Sequence, residues 1–186
     1  MASSEIHAIG SVSGNQPRMR RIIEEAGQSF LSGTPLMVKT STDGGMQAWD
    51  GTTTTNGIAG FSKEAASNLG VTGTAKTLSF GSVPYQASAV NIPRGAPLND
   101  GRVEFEVAAF DTVFAGQVGP AQTVAATDVG KMYGMTIDAD NHWYVDKTKT
   151  GASAVVEVVK LDPNDQSATP RGLYFVVVPP ASQLSA

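Results

Sequence analysis

At 186 residues the chain fits one large domain or two small ones, and a net charge of −4 is too small to steer it toward nucleic acid or an anionic membrane. It has no cysteine, which excludes a disulfide framework, a thiolate metal site and a cysteine nucleophile, and suits folding in a reducing cytoplasm. Charged residues make up 16%, against about a quarter in an average domain, and a surface of Thr, Ser and Ala carries little repulsion and suits being covered by a partner.

No basic-then-apolar leader opens the sequence, and no apolar run approaches the roughly 20 residues that cross a bilayer. The expectation is a soluble, non-exported protein with no membrane partner. Residues 1–17 are rich in Ser, Gly and Asn, and Ile6, Ile9 and Val12 recur without a period. Such a segment buries too little apolar area to offset its own ordering, so it reads as an extended arm, over residues 1–27, that is either mobile or laid against another chain. Deleting residues 1–20 should then leave the fold intact. Arg18, Arg20 and Arg21 form a basic cluster balanced by Glu24 and Glu25. With no aromatics interleaved, the cluster does not predict nucleic acid as a partner.

Residues 28–116 read as a β domain. Gly33-Thr34-Pro35 makes a corner before a strand at 36–38, and Asp43-Gly44-Gly45, Asp50-Gly51 and Asn56-Gly57 are turns around a strand at 46–49 and a threonine edge strand at 52–55. One short helix is expected at 62–70, with Ser62 as cap, Glu64 at the positive end, and Asn68 or Gly70 ending it. Pro84 and Pro93 confine residues 77–92 to edges and loops. After the Asn99-Asp100-Gly101 turn, residues 102–107 alternate strictly, with Val103, Phe105 and Val107 on one face and Arg102, Glu104 and Glu106 on the other.

A boundary is expected within 115–120, followed by a smaller module over 117–186. Its centre is a hairpin at 128–146. Tyr133, Met135 and Ile137 alternate on one side and Trp143 and Val145 on the other, around Asp138-Ala139-Asp140-Asn141, whose side chains favour chain reversal. Strands at 154–161 and 172–178, separated by Asp162-Pro163-Asn164-Asp165, read as continuous apolar runs covered on both faces. The fold class is therefore mainly β: an N-terminal extended arm, a β-barrel or sandwich domain with one short helix, and a smaller C-terminal β-barrel-like module.

Little in the sequence carries chemistry. Histidine occurs only at His7 and His142, neither near a serine on a strand-to-helix elbow, so no triad is expected. Asp138-x-Asp140 begins like a calcium loop, but His142 and Trp143 stand where an oxygen ligand and a glycine are needed. Phosphate and dinucleotide motifs are missing, and no cofactor or metal is expected. Trp49, Trp143 and Tyr144 suit a core or an interface better than a sugar platform.

Several stretches resemble a known family. Residues 105–114 (Phe-Glu-Val-Ala-Ala-Phe-Asp-Thr-Val-Phe), 128–135, Trp143-Tyr144-Val145-Asp146, 156–162 and 172–178 look like the C-terminal half of the head decoration, or capsid cement, proteins of tailed bacteriophages. Phe30-Leu31-Ser32-Gly33-Thr34-Pro35-Leu36, Trp49-Asp50-Gly51 and Ile58-Ala59-Gly60-Phe61 are similar to the first half. The resemblance implies a non-enzymatic structural protein, made in the host cytoplasm, that binds the major capsid protein on the outer surface of the expanded head as a homo-oligomer, a trimer favoured. Its contacts would be distributed over Ile6, Ile9, Val12, Arg18, Arg20, Arg21, Trp49 and Trp143. The alternatives are a receptor- or carbohydrate-binding virion module and a tail or baseplate component.

Overall fold

The computed structural model describes residues 5–25, 28–39, 45–52, 57–66, 78–80, 83–85 and 102–178. In chain order the strands are β1 (His7–Ser11), β2 (Met19–Ile23), β3 (Pro35–Val38), β4 (Met46–Ala48), β5 (Gly60–Ser62), β6 (Leu78–Phe80), β7 (Val83–Tyr85), β8 (Arg102–Val107), β9 (Thr112–Gln117), β10 (Met132–Ile137), β11 (Trp143–Asp146), β12 (Val156–Leu161) and β13 (Gly172–Val177). Two single 3-10 turns, Ala126–Asp128 and Gly151–Ser153, are the helical content among the described residues. The chain is mainly β, as its turn chemistry and alternation predict.

Strand pairing resolves into two five-stranded rings. In the first, β2-β8-β5-β3-β4 pair antiparallel, and a parallel bridge between Glu24 and Met46 returns β4 to the end of β2. In the second, β9-β13-β12-β10-β11 pair antiparallel, and a parallel bridge between Val118 and Val145 returns β11 to the end of β9. Numbering the strands of each ring from its own first strand gives the same order, 1-5-4-2-3, twice. The registers agree residue by residue. Arg20 faces Phe105 as Phe114 faces Phe175, Leu36 faces Gly60 as Tyr133 faces Val156, and Val38 faces Met46 as Met135 faces Val145. The loop hydrogen bonds repeat too. Glu25 N–H donates to the Met46 carbonyl at 2.8 Å and Gly119 N–H to that of Val145 at 3.2 Å; Ala108 N–H donates to Ala59 at 2.9 Å and Val178 N–H to Val155 at 2.8 Å. The chain is thus a tandem repeat of one small barrel.

Each barrel is filled by equivalent positions: Leu36, Met46, Val103 and Phe105 in the first, Tyr133, Val145, Leu173 and Phe175 in the second, all buried. Side chains alternate across a strand, so Phe61, adjacent to inward-facing Ser62, leaves the first barrel and packs on Phe114 and Phe175 of the second. Met37, Trp49, Ile58 and Phe61 of the first barrel join the core of the second in one apolar cluster, while the interior of the first barrel forms a separate one. The break between them falls at residues 108–111, several residues before the expected boundary, because β9 is the first strand of the second barrel.

The N-terminal arm is not free. β1 pairs with β9, β2 is the first strand of the first barrel, and Ile6 is 2% exposed, so residues 1–20 supply the edge strand of one sheet, a core side chain and the first two residues of β2 rather than a detachable arm. Backbone ladders accept almost any sequence, which is why a segment with no apolar period can still be a strand. The helix expected at 62–70 does not start: Ser62 ends β5, its hydroxyl donating to the Leu31 carbonyl at 2.9 Å and accepting Thr34 N–H at 3.0 Å, while Glu64 accepts Glu104 N–H. Tertiary partners have taken both capping side chains. Residues 67–70 lie outside the described residues, as do the turns expected at 43–44, 56 and 99–101, the threonine strand beyond Thr52 and the closing prolines.

The alternation of β8 is observed, but its polar face is covered at Glu106, while Arg102 is exposed and Glu104 half-buried. Glu106 is buried, accepts Ala8 N–H and holds Lys63 at 3.0 Å, tying β1 to the first barrel. Gly60 lies against this strand so closely that a Cβ would stand 2.2 Å from the Glu106 carbonyl oxygen, so glycine is required there. In β12 and β13 burial alternates rather than covering both faces, and Val159 is left exposed beside a bulge.

Candidate functional site

The connection from β1 to β2 runs beside the turn from β8 to β9. Val12 N–H donates to the Asp111 carbonyl at 2.8 Å, the Ser13 hydroxyl to the Asp111 carboxylate at 2.5 Å, and Val107 N–H to the Arg18 carbonyl at 2.8 Å. This places Val12 (69% exposed), Met19 (50%) and Phe110 (81%) beside the turn that joins the two barrels, with the exposed Arg18 and Arg20. Ile9, also exposed, is the extra residue of a bulge between Ala8 and Gly10. Of the residues expected at a contact, Ile9, Val12, Arg18 and Arg20 are therefore at the surface, and Arg21 is half-buried opposite Glu104. Ile6 (2% exposed), Trp49 (3%) and Trp143 (9%) are core and offer almost no area to another chain. Phe110 is the exposed aromatic that contact reasoning missed. Its signal is a large aromatic beside Asp111 in a short turn between two alternating strands.

Trp49 and Trp143 pack on each other, with centroids 5.5 Å apart and planes tilted by 44°, so they make no open sugar platform. Tyr144 lies elsewhere, against Gly119. A cleft of about 260 Å³ borders the pair, lined also by Thr34 and Asn141. His7 Nδ1 is 3.2 Å from the Glu5 carbonyl and His142 Nδ1 3.7 Å from the Asp138 carboxylate.

Asp138, Asp140 and His142 bring ligand-type atoms within 4.8 Å of one another. The geometry is that of a turn. Asp138 Oδ1 accepts the N–H of His142 and of Asp140, each at 2.9 Å, and these bonds hold its carboxyl below the ordinary range. Asn141 completes the reversal in the left-handed region, at φ 64°.

A connected polar network among the described residues is internal. Burial by itself would raise the Asp128 carboxyl, but the Lys147 ammonium at 2.7 Å, the Tyr133 hydroxyl at 2.6 Å and Ala125 N–H at 2.8 Å together bring it below its usual value. Burial and the Asp128 charge push Tyr133 up to about 12. Every partner belongs to the second barrel, so the network is scaffold.

Asp165 is pinned similarly in the β12–β13 loop. Arg171 N–H and Gly172 N–H donate to it at 2.6 and 2.7 Å and the Ser167 hydroxyl at 2.8 Å, holding its carboxyl at about 2. A carboxyl held below its unfolded value contributes stability above pH ~4 and loses it as the pH falls toward 2. Asp165→Asn should cost about 1–2 kcal/mol at pH 7. Urea midpoints taken across pH should show that difference shrinking below pH ~4; a constant gap would contradict the assignment. Compared with family models, curated proteins and solved structures, the chain matches none.

Proposed function

We propose that the chain is a structural, non-enzymatic capsid-binding protein: a head decoration protein of tailed-phage type that grips the major capsid protein on the outer surface of the expanded shell, as a homo-oligomer with a trimer favoured. The observation that carries this reading is the exposed apolar patch beside the turn between β8 and β9, where Phe110, Val12 and Met19 stand near Arg18 and Arg20. Covering a Phe side chain is worth about 2 kcal/mol, which is weak for one contact and strong when an oligomer makes several at once. A ligand that prefers the expanded lattice stabilises it by its binding free energy. A folded double barrel suits that task, since a patch held on paired strands needs less ordering on binding than a free segment.

The test mixes purified protein with undecorated expanded heads and follows co-sedimentation and shell melting. Wild type should bind and raise the melting temperature of the shell. Phe110→Asp should weaken binding by roughly tenfold or more, the loss of one buried aromatic, while the variant's own melting is unchanged because Phe110 packs on nothing internal. Absence of binding by the wild type would sink the reading.

A further inference from the structure

The cleft of about 260 Å³ beside the tryptophan pair takes Gln28, Phe30, Thr34 and Trp49 from the first barrel and Asn141 and Trp143 from the second. Several of its polar groups are unspent. Thr34 is 2% exposed and Trp143 9%, yet among the described residues neither the Thr34 hydroxyl nor the Trp143 indole N–H has a hydrogen-bond partner, and neither atom is sealed from solvent. The little surface each residue keeps therefore includes its polar atom, and both residues line the cleft. Trp49 differs, since its indole N–H donates to the Thr52 carbonyl at 2.9 Å. Gln28 Oε1 accepts Ala48 N–H at 3.1 Å, which fixes the amide and leaves its NH₂ without an acceptor among the described residues. Asn141 is held in the left-handed region at φ 64°, its N–H on the Asp138 carbonyl and its carboxamide likewise unengaged among the described residues.

We propose that this cleft between the barrels is a binding site for a single neutral sugar ring. None of the described residues that line it is charged, so a charged ligand would lose hydration and gain no counter-ion. A purely apolar ligand would bury the Thr34 hydroxyl and the Trp143 N–H unsatisfied. A pyranose avoids both costs. Its hydroxyls accept from the Trp143 N–H and the Gln28 NH₂ and exchange hydrogen bonds in either direction with Thr34 and Asn141, while its C–H groups meet the aromatic rims of Phe30 and the tryptophans. Because Trp49 and Trp143 pack on each other, the ring is gripped at their edges and does not lie on an open face. At about 260 Å³ the cleft falls just below the roughly 300–1,000 Å³ of pockets for drug-sized ligands, which suits one ring and not a chain. Both barrels supply groups, so the site is complete only while they are packed together. The inference does not rest on the capsid-binding reading.

The chain has two tryptophans and both line the cleft, so their emission reports directly on its occupancy. The full chain is titrated with glucose, galactose, mannose and N-acetylglucosamine, with glucuronate as the charged control. At least one neutral sugar should shift the emission saturably with a Kd of about 1–10 mM, the affinity that a ring of about a dozen heavy atoms reaches at ordinary ligand efficiency. Glucuronate should bind roughly tenfold more weakly than that sugar. Thr34→Val and Asn141→Gly should each weaken the response by roughly fivefold or more. Both variants should keep the melting temperature of the wild type, since the Thr34 hydroxyl has no partner to lose among the described residues and glycine suits the left-handed turn. No saturable response to any of the four sugars, as from a cleft that holds water alone, overturns the inference. So does a response that both variants retain undiminished, or one that glucuronate gives equally.

Discussion

Phe61→Ala is expected to cost about 4 kcal/mol and to lower the stability of both barrels together. Phe61 is fully buried, with its ring centroid 4.6 Å from that of Phe114 and 5.9 Å from that of Phe175, at interplanar angles of 55° and 73°. It belongs to β5 of the first barrel, whereas Phe114 and Phe175 line the second, so truncation opens a cavity at the junction itself. The tilted pairs add about 0.5–1.5 kcal/mol each beyond the area they bury. Trp49 of the first barrel and Trp143 of the second pack on each other, so their fluorescence reports from the junction. Urea unfolding followed by tryptophan fluorescence and by far-ultraviolet circular dichroism should give one coincident transition in both wild type and variant, with the midpoint lowered and the slope kept. Two separated transitions in the wild type, or a loss below about 1 kcal/mol in the variant, would show that the barrels are energetically independent.

The second large effect is Asp128→Ala, with an expected loss of about 3 kcal/mol. The side chain is 4% exposed and accepts three hydrogen bonds, so its removal strands the Tyr133 hydroxyl, Ala125 N–H and part of the Lys147 charge. Tyr133→Phe should cost only about 1 kcal/mol, and a double-mutant cycle should return a clear coupling between the two residues. The pH dependence follows from the directions of the shifts. Asp128, held below its unfolded value, contributes above pH ~4 and loses that contribution on acidification through its folded value. Tyr133, raised to about 12, binds its proton more tightly when folded, so stability falls as the pH climbs from the ordinary tyrosine value near 10 toward 12. Tyr133→Phe should lack that alkaline decline. A variant that melts alkaline side like the wild type would place the titrating group elsewhere.

What the amino-acid order determined by itself is local. Asp138-Ala139-Asp140-Asn141 between alternating apolar positions specifies the β10–β11 hairpin, and the period of two over residues 102–107 specifies β8, because turn chemistry and side-chain alternation involve only near neighbours in the chain. The mainly β class and the barrel-like second half follow from the same signals. Partner choice lay beyond them. β1 and β2 have no apolar period and pair through backbone groups that every residue carries; Ser62 gives its hydroxyl to a loop some thirty residues away instead of capping a helix; and Glu106 is polar by pattern yet buried, because what covers a strand's outer face is decided by another part of the chain. The duplication is hidden for the same reason. Leu36 and Tyr133, or Met46 and Val145, share a place in the ring without sharing a side chain, since a barrel interior asks for filled volume and the ladder asks only for register.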